Sequence, residues 1–459
     1  MKTDYKFVEY GRFSSEFEYS QLFQLCIEKN GVQTGPFGSQ LHKEDYVAQG
    51  TPIITVEHLG DNRIIHIDTP FVTDDDKNRL KKYQMKEGDI IFSRVGSVDR
   101  RALVRKDEDG WLFSGRCLCV RVDKTKINPT YLSYFFGLES FKKYIRGIAV
   151  GATMPSINTK ILSDVPVYYP KNLNQQKQIA KILSDLDDKI HLNNQINQTL
   201  ESIAQAIFKS WFIDFEPVRA KISAKQTGQD PEFAAMCAIS GKSEAELEQM
   251  TKEDFAELQA TAALFPDELV ESELGEVPKG WSIAKVDGIL NRIKIKKRFK
   301  KNDVNEFGRT FVLEQGSNII LGFHNDEGSI PASKEEPVFI FGDHTCITKL
   351  MLSNFDVSEN VIAVTGKERN SYWTYYAIRD LQKFQEYRRH WMELVSKQVV
   401  MADLNLTDYF AKKVKTLHEE IENFVHENLV LINLRDTLLP KLLSGEVDVS
   451  GLHGEEIDG

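Results

Sequence analysis

Three short stretches of the 459-residue chain carry residue types that could do chemistry, and each lacks something that the chemistry needs. Asn128-Pro129-Thr130-Tyr131 differs by one residue from the Asn/Asp-Pro-Pro-Tyr/Phe tetrapeptide of adenine-N6 methyltransferases. The second proline is missing and no Phe-x-Gly-x-Gly loop precedes it. Asn128 therefore reads as a helix N-cap, with Pro129 at the first helical position. Gly241-Lys242-Ser243 resembles the end of a phosphate-binding loop, but position 236 is Met where that loop needs Gly, and no buried strand leads into it. Pro266-Asp267 lacks the acidic-x-lysine partner of a metal-dependent nuclease. Cys26, Cys117, Cys119, Cys237 and Cys346 are scattered and odd in number, with no second pair at a zinc-ligand spacing. Reduced thiols in apolar settings are the plain reading. No catalytic residue, cofactor site or metal site is expected in this chain.

Charge says more than these motifs. The formal net charge is −10, which argues against a polyanionic partner until its distribution is considered. Asp230 to Glu276 holds thirteen acidic residues against Lys242 and Lys252, a net of −11, so the rest of the chain stands at +1. Within that remainder, Arg292 to Lys301 packs seven cations into ten residues. Local charge, not the total, decides which surface can meet phosphate.

The elements that would position these residues follow from periodicity. Ile179, Leu183, Leu186, Ile190, Asn193, Asn197, Leu200, Ala204, Ile207 and Trp211 alternate by four and three, a heptad seam without proline or glycine. At 1.5 Å per residue, ~37 residues make a rod of roughly 55 Å. Leu417, Ile421, Phe424, Asn428, Leu431, Arg435, Leu438 and Leu442 repeat the pattern, with Pro440 expected to kink or end it and Ser444-Gly445 as its stop. Before each seam come short β-rich runs: Pro52–Val56, Asp89–Phe92 and Leu118–Val122, then Thr310–Leu313, Pro337–Phe341 and Asn360–Val364. Helices are expected from Pro129 to about Tyr144 and from about Tyr372 to Arg388. Two matching halves make an internal repeat. No stretch approaches the roughly 18 apolar residues of a membrane span, and Met1 to Lys6 leads into no signal-peptide core, so a cytoplasmic protein is expected.

Four stretches, in order, carry a family resemblance. Tyr169-Pro170 with Gln175–Ile179 and Leu183–Ile190 resembles the start of the central conserved region of type I restriction–modification specificity subunits. Lys209–Val218 is similar to that region's end, Leu274–Trp281 to the opening of the second target-recognition domain, and Leu434–Glu446 to the C-terminal conserved region. The resemblance implies an α+β architecture in which two mixed α/β globular target-recognition domains, a pseudo-two-fold internal repeat, are joined by two long antiparallel coiled-coil helices. The expected boundaries are 1–170 for the first domain, 171–218 for the central helix and 219–274 for an acidic helical connector. The second domain is expected at 275–412, the C-terminal helix at 413–445 and a mobile tail at 446–459. The resemblance also implies a non-catalytic subunit in which each domain reads one half of a split site in double-stranded DNA. Two modification and two restriction subunits would dock on it and bring S-adenosylmethionine, ATP and Mg2+.

Base reading needs donors and acceptors presented to the major groove, while cations on phosphates set register and affinity. In the first domain the candidates are Ser39 in the Gly35–Ser39 turn, Arg94, Ser97, Arg100 and Arg101 after a strand, Lys142 and Arg146, and Ser156, Asn158 and Lys160 in a loop of small polar groups. In the second they are Arg292, Lys294, Lys296, Lys297, Arg298, Lys300 and Lys301, then His344, Lys349, Lys397 and Gln398. For each cation the plain alternative is a solvated surface charge, and for the 292–301 run a nearly disordered loop. If the helices pair antiparallel, Asn193 or Asn197 falls opposite Asn428, a polar layer that would fix register. The helix lengths would then set the unread spacer between half-sites. From another class, a coiled-coil scaffold with two interaction modules and no nucleic acid is the competing reading.

Overall fold

The strand Cys117–Val120 is apolar at every position and is buried on both faces of its pleat. Cys117 and Cys119 pack with Ile54, Ile91 and Phe113, whereas Leu118 and Val120 pack with Ile90, Leu132 and Phe135. It lies antiparallel between Val32–Thr34 and Ile90–Ser93, and Arg101–Leu103 extends the sheet beyond the latter. A second sheet contains the parallel pair of Leu112–Phe113 with Thr51–Ile54. These elements belong to the first of two compact units in the computed structural model. That unit is Met1–His191 with Val430–Gly459, and the second is Leu192–Leu429. The structure describes residues 4–29, 31–36, 40–316, 318–386, 388–449 and 451.

A helix follows the sheet at Pro129–Phe135, capped as its sequence requires: Asn128 Oδ1 accepts the Tyr131 N–H at 2.9 Å. It does not run to Tyr144. The helix ends at Phe135 and the chain resumes as Glu139–Ile148; the turn between them holds Gly137, where a Cβ would collide with the Arg101 guanidinium. The chain then returns through Pro166–Tyr169, antiparallel to Glu18–Gln21.

The second unit repeats the strand order of the main sheet, and its second sheet has three strands where the first unit's has four. Val361–Gly366 lies antiparallel between Leu290–Arg292 and Val338–Gly342, with Thr348–Met351 at the outer edge. The parallel pair recurs as Asp356–Val357 with Thr310–Leu313. A helix, Ser371–Ile378, follows under an Asn370 cap, and Gln398–Met401 pairs antiparallel with Ser282–Lys285. The helix expected over Tyr372–Arg388 stops ten residues early. Its eight residues are all buried, and of the polar run after it Leu381 packs against the core. The buried His390 fastens the chain's return, its N–H meeting the Asp343 carbonyl at 2.8 Å.

The two seams are helices of 40 and 41 residues, Leu173–Phe212 and Leu404–Ser444, each about 60 Å long. Gln176, buried in the first turns of the central helix, donates to the Pro170 carbonyl and accepts the Asn128 N–H, both at 2.8 Å. It thereby ties the helix to the cap of Pro129–Phe135. The C-terminal helix starts at Leu404, well before its seam, because Leu406, Phe410, Ala411 and Val414 are core residues of the second unit. Nor does Pro440 end it. The helix runs on to Ser444 and stops at Gly445, whose φ of +77° permits the closing bonds. There the Gly445 N–H meets Leu442 O at 3.3 Å and the Glu446 N–H meets Lys441 O at 2.9 Å. The acidic stretch folds as helices Glu216–Thr227, Pro231–Ser240, Glu244–Leu247 and Lys252–Ala263, with Ala235, Met236, Leu247 and Ala262 in a small core.

Candidate nucleic-acid interface

In the first unit two loops that are remote in sequence become neighbours. Val95 and Ser156 form a β-bridge, the Gly96 N–H donates to Pro155 O at 2.8 Å, and the Ile157 N–H donates to Arg94 O at 3.0 Å. The turn carrying Arg94, Ser97 and Arg100 thus abuts the Val150–Ser156 hairpin, which is closed by paired Val150 and Ser156 bonds of 2.9 and 2.8 Å. Ser97 and Arg100 are exposed, and the Arg100 guanidinium reaches the Leu59 carbonyl. Arg146 joins the cluster through an ion pair with Asp99. Arg116, absent from the sequence candidates, belongs here too: it is exposed and its carbonyl accepts the Arg94 N–H at 2.8 Å. Nothing local marks Arg116, since only the sheet register brings residues 94 and 116 together.

Other first-unit candidates are drawn into the fold. Arg101 is 4% exposed, donating to Ser133 O at 2.8 Å and to Asp61 at 3.3 Å, so it is a structural clamp and not a surface donor. Asn158 caps the helix Thr159–Ser163 through the Ile161 N–H at 2.8 Å. Ser156 bonds Val150 O at 3.2 Å. Lys142 and Lys160 pair with Glu139 and Asp164, each at 2.7 Å. Ser39 lies outside the described residues.

In the second unit the 292–301 run is an extended ribbon. Ile293 and Ile295 turn inward onto the core around Phe311 and Ile340, and the exposed Arg292, Lys294 and Lys296 alternate with them. Lys297, Lys300 and Lys301 are exposed as well, with the Lys297 amine 4.2 Å from the centre of the Phe299 ring. Arg298 is different. It donates to Ser358 O at 2.6 Å and Val361 O at 3.0 Å, fastening the ribbon to the sheet. Alternation requires a partner sheet for the isoleucines, and that is why the run is ordered and not a loose loop.

Four further candidates in this unit have partners within the fold. Lys349 points into a cavity of about 570 Å³ between the sheet and the long helices, lined also by Gln198, Phe311, His418 and Glu422. Burial holds its amine below the usual lysine range, while Glu201 and Glu422 act against that shift. The Lys397 amine is taken by the Leu381 carbonyl, and Gln398 donates to Glu273 at 2.9 Å. His344 is half-buried, its N–H bonded to Gln315 Oε1 at 2.9 Å.

Within the second unit the long helices run antiparallel, with Asn193 opposite Asn428 and Phe208 against Phe410, ring centroids 5.5 Å apart. Asn193 Nδ2 donates to Asn428 Oδ1 and to Glu427 Oε2, both at 2.8 Å, and Asn428 Nδ2 donates to Asn194 Oδ1 at 2.9 Å. Asn194 was not foreseen, because it lies one residue off the seam. Asn197 makes no bond across, and its Oδ1 is buried without a partner among the described residues.

The model of the type I restriction modification DNA specificity domain matches residues 15–202. The chain is 29% identical over 444 residues to the type I restriction enzyme HindI specificity subunit of Haemophilus influenzae, spanning 86% of this chain and 95% of that one. It is 27% identical over 463 residues to the type I restriction enzyme MjaIX specificity subunit of Methanocaldococcus jannaschii, 98% of each chain. A solved type I restriction–modification S subunit from M. genitalium superposes with a TM-score of 0.51 at 16% identity, over 93% of this chain and 96% of that one, a likeness of fold. Two units with one main-sheet strand order, two long helices and a likeness that runs the length of curated relatives converge: along its whole length the chain is similar to specificity subunits of type I restriction–modification enzymes.

Proposed function

We propose that this chain is the part of a type I restriction–modification enzyme that reads DNA sequence, each unit reading one half of a bipartite site in double-stranded DNA. The observation that carries this reading is the duplicated plan: one strand order appears twice in one chain, each time with exposed cations on loops and ribbons beside the sheet. One reader made twice, with different side chains at the reading edge, is what a split and non-repeating target calls for. In the first unit the reading surface is Arg94, Ser97, Arg100, Arg116, Arg146 and the Val150–Ser156 hairpin. In the second it is Arg292, Lys294, Lys296, Lys297, Lys300 and Lys301.

The long helices would set the unread spacer and carry the docking surfaces for two modification and two restriction subunits. Those partners would bring S-adenosylmethionine, ATP and Mg2+, and the assembly would work in the cytoplasm on adenine. No described helix is long and apolar enough to cross a membrane.

The test is adenine methylation mapped across the host genome with and without this gene. A single split motif that vanishes with the gene is the expected result. Unchanged methylation, together with salt-independent behaviour in gel shifts with the modification subunit, would favour the scaffold reading.

A further inference from the structure

We propose that Arg292 and Trp391 form a guanine-reading site in the second unit, distinct from the phosphate contacts of the lysines that follow Arg292. This rests on the reading of the chain as a DNA-reading subunit. The Arg292 guanidinium lies over the Trp391 ring, 5.7 Å from its centroid. A cation–π contact of this kind restrains a guanidinium against the ring and leaves its N–H groups available. Arg292 is exposed and makes no hydrogen bond or ion pair among the described residues. Four other arginines near the two reading surfaces are spent: Arg100 on Leu59, Arg101 on Ser133 and Asp61, Arg146 on Asp99, and Arg298 on Ser358 and Val361. Arg292 alone in that group is both held in place and left with its donors open.

The platform is itself built. The backbone N–H of Trp391 donates to Asp343 Oδ1 at 2.9 Å, and Asp343 is 8% exposed, its own backbone N–H bonded to Asn360 O at 3.0 Å. Phe341 braces the indole, ring centroids 5.9 Å apart. Arg292 opens onto a groove of about 320 Å³ shared with Arg298, Asn360 and Arg389. A planar fork of donors, held rigid at the edge of a groove, matches the O6 and N7 acceptors of guanine, the pair that a single arginine reads bidentately. A lysine on a flexible stem beside it cannot hold that geometry and serves as a point charge on phosphate.

The experiment uses the complete complex with its modification subunit. Wild-type methylation is mapped first, and each guanine of the second half-site is then replaced by 7-deazaguanine, which removes the N7 acceptor. At one position the wild-type rate falls roughly 10- to 100-fold, and R292Q, already slow there, does not respond. R292Q and R292K both accept other bases at that position and leave the rest of the motif unchanged. An R292Q that keeps the full motif, or a uniform loss at all sites that R292K restores, overturns the guanine site and makes Arg292 a phosphate contact. A wild-type motif in which no second-half guanine responds to 7-deazaguanine overturns it without any variant. A wild-type complex that methylates no split motif would instead bring down the functional reading beneath it.

Discussion

His418 shows what a buried polar residue costs and contributes in this protein. It is 5% exposed, its Nε2 lies 2.7 Å from the Tyr376 hydroxyl, and burial holds its imidazole down at about 4, with Lys349 and Arg379 acting the same way and Glu201 and Glu422 opposing. A folded-state value below the unfolded one near 6.5 means that the unfolded chain binds the extra proton. The stability that neutral His418 contributes is complete above pH 6.5 and is lost as the pH falls toward 4, up to about 3 kcal/mol. Denaturant unfolding from pH 7.5 to 4.5 should show that decline, and His418→Gln should flatten it; an equal slope in both proteins would assign the effect elsewhere. Single residues were the least legible part of the sequence. Arg100 and Arg101 are adjacent and chemically identical, yet one is exposed and the other is locked between Ser133 and Asp61. Their fates depend on partners 30 to 40 positions away, which no local pattern encodes. Arg298 and Lys397, candidates for DNA contact, bond to backbone carbonyls of the fold that no local pattern marks.

At the scale of elements, the seams were legible because helical periodicity repeats over many residues, and the strands because apolar runs bounded by turns leave few options. The ends were not. The C-terminal helix begins at Leu404 because its first turns serve a globular core, so the heptad pattern starts only later. The helix from Pro129 ends at Phe135, and the Arg101 side chain packs where a Cβ on Gly137 would lie, a contact set by tertiary structure. Across the helices, Arg435 occupies a seam position and pairs with Asp187 at 2.7 Å, and Asp187 also accepts the Tyr134 hydroxyl at 2.6 Å. Arg435→Met should destabilise the first unit by roughly 3 kcal/mol, because it strands a mostly buried carboxylate. Pairing it with Asp187→Leu should recover most of that loss in a thermal-unfolding cycle. The asparagine layer makes a complementary prediction. Asn428→Leu takes one of the two acceptors from the buried Asn193 amide and should cost about 1–2 kcal/mol. Asn193→Leu with Asn428→Leu should unfold at a higher temperature than the single variant while loosening helix register. A double variant as unstable as the single one would mean that the layer holds more than register.

For the molecule as a whole, the duplicated strand order makes the two reading surfaces separable in experiment. Neutralising Lys294, Lys296 and Lys297 together should weaken methylation at every target alike and reduce its salt sensitivity, because cations on phosphates carry no sequence information. Methylation rates measured from low to moderate salt decide this, and a change in motif would move those lysines from grip to readout. If the helices set the spacer, adding one turn to both should lengthen the unread gap and leave each half-motif intact. Methylation mapping of that variant reads the gap directly.

The second unit starts at Leu192 and stops at Leu429, one residue outside Asn193 and Asn428 at either end. The first unit is therefore an open clip in sequence, interrupted at His191 and resumed at Val430, and the interruption is fastened by an amide-to-amide bond just inside both cuts. A block of chain so bounded can be exchanged for its counterpart from a sister protein through two crossovers at equivalent heptad positions, both in helix and neither in a sheet. If each unit reads one half of the target, such an exchange would rewrite half of an address in one event and keep the other half, a short route to new targets without designing a reader afresh.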